Sequence, residues 1–121
     1  MPQFEYLTQH VLIKKYMNVK DYWDLGMRIF HFKRKPVLIL DTIEKKLCFN
    51  TIKPEALTTA QNIPTATDIQ WESCRYLSAK EWHGFLIDGQ NEQFIKKLID
   101  DFYFTMLATS LKKITDNIHD K

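Results

Sequence analysis

The carboxy-terminal segment sets the tightest constraint on how this chain can fold. From Asn91 onward, Phe94, Ile95, Leu98, Ile99 and Phe102 recur at helical spacing. Asn91 is a suitable N-cap, and Glu92 suits the positive end of the helix dipole. A second apolar set follows: Tyr103, Leu107, Leu111, Ile114 and Ile118. At about 100° per residue the first stripe centres near Phe102, and the second lies about 140° further round. One straight helix cannot aim both stripes at one core. A continuous helix over 91–118 would also run about 42 Å, longer than a domain of this size is wide. The segment must therefore bend near Phe104–Ser110 or serve two surfaces. Core packing is the commoner use of an apolar stripe, so a bend or protrusion that still serves the core is the first expectation. Self-association through Leu107, Leu111, Ile114 and Ile118, giving a homodimer, is the second.

The rest of the chain predicts a sheet for this helix to cover. In residues 27–33, Met27, Ile29 and His31 alternate with Arg28, Phe30 and Phe32, as in a strand. Lys33-Arg34-Lys35-Pro36 forms the turn, and Val37–Leu40 is apolar at every position, as in a strand covered on both faces. The predicted strands are 27–33, 36–41, 46–52 and 68–77, the last bearing Trp71 and Tyr76. Helical spacing predicts an amphipathic helix over 4–17. Asn18 followed by Asp21, with Gly26 beyond, predicts a short helix over 18–25. Pro54 suits a helix start, and the Ser78 to Glu81 spacing predicts another short helix running through Trp82 and Phe85. The expected fold class is α+β: a mainly antiparallel sheet of about four strands, covered by an N-terminal helix and a long, bent or protruding C-terminal helix. With no repeats and no linker rich in Gly or Ser, residues 1–121 are expected to form a single domain.

Two cysteines, Cys48 and Cys74, fall in predicted strands at neither metal-ligand nor redox-motif spacing. The opening MPQFEYLTQH has no apolar run after a basic start, and no apolar stretch is long enough to span a membrane. A reducing cytoplasm with both thiols free is the expected setting.

The net charge of +2 conceals a polarity, with 10 Lys/Arg and 5 Asp/Glu in residues 1–53 against 7 and 10 in residues 54–121. Arg28, Lys33, Arg34 and Lys35 are the basic candidates for an acidic partner. Glu72, Glu81, Asp88, Asp100 and Asp101, with Trp82 beside them, are the acidic and aromatic candidates for a basic one. Phe30 and Phe32 would add stacking surface for nucleic acid if they faced outward, but they share a face expected to enter the core. No nucleophile motif, phosphate cradle or paired metal-ligand spacing is present, so no catalytic residue, metal or cofactor is assigned. Asp100 and Asp101 are expected to be solvated. The first functional expectation is a small non-catalytic protein-binding domain, an inhibitor or an immunity- or antitoxin-like neutraliser. The alternative is a nucleic-acid-binding protein using the basic N-terminal half. The third is an enzyme whose site brings His31 or His83 to an acid.

Overall fold

A five-stranded antiparallel meander, in the order β1-β2-β3-β4-β5, organises the chain. The computed structural model describes residues 4–51 and 69–119, with side chains through Leu111. Helix α1 spans Glu5–Leu12, and the strands are β1 Met17–Tyr22, β2 Met27–Phe32, β3 Lys35–Asp41, β4 Lys46–Asn50 and β5 Trp82–Leu86. Helix α2 spans Glu92–His119.

The α+β class and the antiparallel sheet are as the sequence predicts, with five strands rather than four. The period-two alternation of β2 sends Phe30 and Phe32 to the helical side and Met27 to the other. The register steps from Phe30↔Leu38 to His31↔Pro36, leaving Val37 as an extra residue on β3. That bulge lets both Val37 and Leu38 join the core under the helices, while Ile39 enters the opposite layer. Phe49 is fully buried, stacked on Phe85 and met edge-on by Phe102 and Trp71. Helix α1 contributes Leu7 and Val11 to this core, and α2 contributes Phe94, Ile95, Leu98, Ile99 and Phe102.

Several expectations are corrected. The helix predicted over 18–25 is mainly strand. Met17–Tyr22 pairs with Phe32–Met27, and one 3-10 turn, Trp23–Leu25, follows before left-handed Gly26. Pairing along six residues outweighs the local capping signal of Asn18. The preceding helix accordingly stops at Leu12 rather than 17, and Tyr16 turns the chain with a positive φ of 70°.

The strand predicted over 68–77 is, among its described residues, a single bridge between Glu72 and Gly84. The short helix predicted after Ser78 is a turn. The Ser78 carbonyl accepts the amides of Glu81 and Trp82, and the chain then enters β5. The sheet neighbour of β4 is thus Trp82–Leu86. Of this segment, Trp71 packs into the core under the helices, whereas Cys74 and Leu77 lie in the layer on the other face. The predicted helix start at Pro54 lies outside the described residues.

Cys48 and Cys74 form a disulfide, which corrects the expectation of free thiols. Gly84, paired to Cys48 across the β4–β5 ladder, makes room for it. A Cβ there would lie 2.8 Å from each sulfur and 3.1 Å from the Leu47 carbonyl oxygen.

Helix α2 is one unbroken helix of 28 residues. Asn91 caps it as predicted, its Oδ1 accepting the amides of Gln93 at 2.8 Å and Phe94 at 3.2 Å. Beyond the first stripe, Met106 and Leu107 still pack at the edge of the core. Phe102 and Tyr103 are buried, whereas Phe104 and Leu111 are exposed. Among the described residues no helix is long and apolar enough to cross a membrane.

Candidate functional site

Three loops meet at the end of the sheet that carries the β1–β2 and β3–β4 connections. Gly26 takes a positive φ of 65°, and the side chain of Ile43 lies where a Cβ on Gly26 would project. A residue with a side chain would therefore clash there as well as strain the backbone. Thr42 anchors the contact, its amide and its hydroxyl each donating to the Gly26 carbonyl at 2.9 Å. The third loop arrives through Arg75. Its guanidinium grips the Asp41 carboxylate with bonds of 2.7 and 2.8 Å and donates to the Leu25 carbonyl at 2.8 Å. Such a forked charge-assisted contact fixes orientation as well as distance.

The Asp41 side chain is 2% exposed. Burial pushes its carboxyl upward, but the Arg75 bonds and the amides of Glu44 and Ile43 outweigh that and hold it below the usual carboxylate range. Arg75 also lies over the ring of Tyr76, a bulky residue held at a φ of 64°. That backbone conformation is uncommon for an aromatic and costs about 1–2 kcal/mol. Nearby, Lys46 pairs with Glu72 at 3.0 Å and donates to the Ser73 carbonyl. These bonds hold residues 72–76 against the loops of the sheet.

The result is a rigidly held display of large apolar side chains. Trp23 is 78% exposed, Tyr76 76%, Ile43 63% and Leu25 42%. Beside Trp23 is a shallow cleft of about 60 Å³ lined by Phe4, Asp21, Gly26, Met27, Leu40 and Thr42, with Arg28 at its wall. Small-molecule sites measure about 300–1,000 Å³, so this cleft is too small for one.

The side chains named from sequence are dispersed. Arg28 is engaged within the chain by Asp21 at 2.7 Å, Glu5 at 3.2 Å and the buried Thr8 hydroxyl at 2.9 Å. Lys33 donates to Ser110 and lies over the Tyr16 ring, and Arg34 and Lys35 are exposed at the β2–β3 turn. Trp82 is buried against the disulfide layer. Glu81 precedes β5 and Asp88 follows it, so the two lie at opposite ends of that strand. Asp101 pairs with Lys97.

Asp100 is not a lone solvated carboxylate: His10 and Lys14 both reach its Oδ1 at 2.7 Å, clamping α1 to α2. Burial raises its carboxyl, while Lys14 and then His10 bring it below the ordinary value. Among the described residues it is His10, not His31 or His83, that meets an acid; the His83 Nδ1 donates to the Thr51 carbonyl at 2.8 Å. Among the described residues no three His, Cys, Asp or Glu side chains gather as metal ligands. Phe30 and Phe32 are in the core, so neither supplies stacking surface beside the basic turn. The charges of the two halves interleave through Lys14–Asp100, Lys46–Glu72 and Arg75–Asp41.

The apolar loop cluster was not assembled by sequence reasoning. The available signal was a large apolar residue standing alone in each polar connection: Trp23 before Asp24, Ile43 between Thr42 and Glu44, and Tyr76 after Arg75. Compared with models of protein families, with curated proteins and with solved structures, the chain matches none.

Proposed function

We propose that the chain is a non-catalytic protein-binding domain whose contact surface is the loop cluster of Trp23, Leu25, Ile43 and Tyr76. The observation that carries this reading is their exposure on three loops that are locked together by Arg75, Asp41 and Thr42. Exposed contiguous apolar side chains mark interaction surfaces, and Trp and Tyr are the residues most often found at energetic centres of protein interfaces. Holding the loops before binding reduces the entropy lost on association. Tyr76 is kept exposed at the expense of backbone strain, and such strain concentrates at binding sites.

Within this class an inhibitor or neutraliser fits best, since it acts by covering its target. The Cys48–Cys74 bond favours an oxidising compartment. It removes the premise on which a cytoplasmic location was expected.

The test is capture from native extract by the oxidised protein, compared with Trp23→Ala and Tyr76→Ala. A protein partner retained by the parent chain and lost with either variant supports the reading. A partner held equally by all three overturns the assigned surface. Binding only to nucleic acid, lost steeply with salt and abolished by neutralising Lys33, Arg34 and Lys35, would favour the polyanion alternative.

A further inference from the structure

The segment that carries Arg75 and Tyr76 has little secondary structure to hold it. Among the described residues its sheet contact is the single bridge between Glu72 and Gly84. Beyond that bridge it is held by side chains. Lys46 takes Glu72 and the Ser73 carbonyl, Arg75 takes Asp41 and the Leu25 carbonyl, and Cys74 is bonded to Cys48. The Glu72 pair is partly solvated, and such pairs hold weakly against the chain entropy of the residues they order. The covalent link is the one that thermal motion does not open.

That link joins a fixed strand to a loosely held segment. Cys48 lies in β4, which is hydrogen-bonded to β3 on one side and to β5 on the other. Cys74 has no such ladder. Both sulfurs sit against Gly84, in a layer with Met27, Ile39 and Trp82. Two thiols do not fit in the close-packed space of a bonded pair, because unbonded sulfurs repel at bonding distance. With the Gly84 backbone behind both and β4 held by its neighbours, the sulfur that gives way on reduction is that of Cys74.

Arg75 and Tyr76 follow Cys74 directly. Tyr76 is exposed and holds a φ of 64°, and such a conformation persists only where the surroundings fix it. Arg75 joins the other loops, its guanidinium reaching the Leu25 carbonyl and the Asp41 carboxylate. Movement of Cys74 therefore reaches both a displayed residue and the residue that locks its neighbours. The large core under the helices contains neither cysteine, so it does not have to open with them.

We propose that the Cys48–Cys74 pair is a redox gate on the loop cluster: oxidation assembles the surface of Trp23, Leu25, Ile43 and Tyr76, and reduction dissolves it while the core persists. This rests on the reading of those loops as the contact surface. The oxidant is a second disulfide. One cysteine thiolate attacks its S–S bond and expels one thiol; the other then attacks the mixed disulfide, forming the Cys48–Cys74 bond and expelling the second thiol. Two electrons and both cysteine protons pass to the two thiols released, and a dithiol reverses the exchange. Both cysteines are buried in the finished structure, so the bond is shielded once made, and a reductant reaches it only after residues 72–76 lift away.

Backbone order parameters from nuclear magnetic resonance test the gate without any partner, comparing the oxidised chain with the same chain unfolded and refolded in dithiothreitol. Residues 72–77 should give values of about 0.85 when oxidised and below about 0.6 when reduced, with α1 and β2 rigid in both forms. Capture from native extract then compares the oxidised parent with Cys48→Ala/Cys74→Ala, which keeps reductant away from the partner. Retention should fall about tenfold, because the loops are no longer ordered before binding. Residues 72–77 that stay rigid in the reduced chain overturn the gate. So does a partner lost with Trp23→Ala yet held undiminished by the double alanine variant, a result that leaves the contact surface standing. A partner held by Trp23→Ala and Tyr76→Ala alike removes the surface itself, and with it the object of the gate.

Discussion

Reducing the Cys48–Cys74 bond is expected to lower the melting temperature sharply without abolishing the fold. The two cysteines are 26 residues apart. Closing a loop of that size removes unfolded-chain entropy equivalent to about 3.5 kcal/mol at 25 °C. For 121 residues the unfolding entropy near the midpoint is about 0.25 kcal/mol per kelvin, so the midpoint should fall by about 14 °C. The assay compares oxidised and dithiothreitol-treated protein by calorimetry, after a thiol titration in denaturant. That titration should find no free thiol in protein made under oxidising conditions. The large core under α1 and α2 contains neither cysteine, so the reduced protein should keep its far-ultraviolet dichroism at low temperature. Two titratable thiols in protein from an oxidising compartment would refute the reasoning. So would a midpoint change below about 4 °C, roughly 1 kcal/mol by the same conversion.

Other expectations follow from individual side chains. Gly84→Ala places a methyl against both sulfurs and the Leu47 carbonyl, so urea unfolding should show a loss of about 1–3 kcal/mol. Tyr76→Gly relieves a left-handed backbone and should raise stability by up to about 1 kcal/mol while weakening partner capture, a combination that a purely structural Tyr76 would not give. Asp41 and Asp100 both have depressed carboxyl values. The stability they contribute is therefore complete above the unfolded value of about 3.9 and is lost as pH falls through the lower folded values. Denaturant midpoints measured across that acid window should fall less steeply in Asp41→Asn/Asp100→Asn. Phe49→Ala, opening the centre of the aromatic cluster, should cost about 3–5 kcal/mol in chemical unfolding.

Some elements could be read from sequence because one periodicity ran through them undisturbed. Met27 to Leu40 alternates and then becomes apolar throughout, and the structure makes β2 and a β3 buried on both faces. Asn91 and the stripe after it define the start and buried side of α2. Failure came where a local signal resembled a different one. Asn18 and Asp21 have cap-like spacing, yet both pair with β2. Ser78 and Glu81 have capping-box spacing, yet the carbonyl of Ser78 only closes a turn. The sequence predicts a strand over 68–77, bearing Trp71 and Tyr76, but what positions Glu72, Cys74 and Arg75 is the covalent bond to Cys48 and the ion pairs of Arg75 and Glu72. The candidate site was illegible for the same reason. Arg75 reaches the Leu25 carbonyl across a separation of 50 residues, and no sequence spacing encodes that contact.

The bond between Cys48 and Cys74 makes residues 48–74 a covalent ring. A single cut by a protease at any peptide bond inside that ring leaves two fragments that still travel as one molecule. They part only after a reductant opens the sulfur bridge. Separating the two products of one such cut therefore takes two chemistries in sequence, hydrolysis and then thiol exchange.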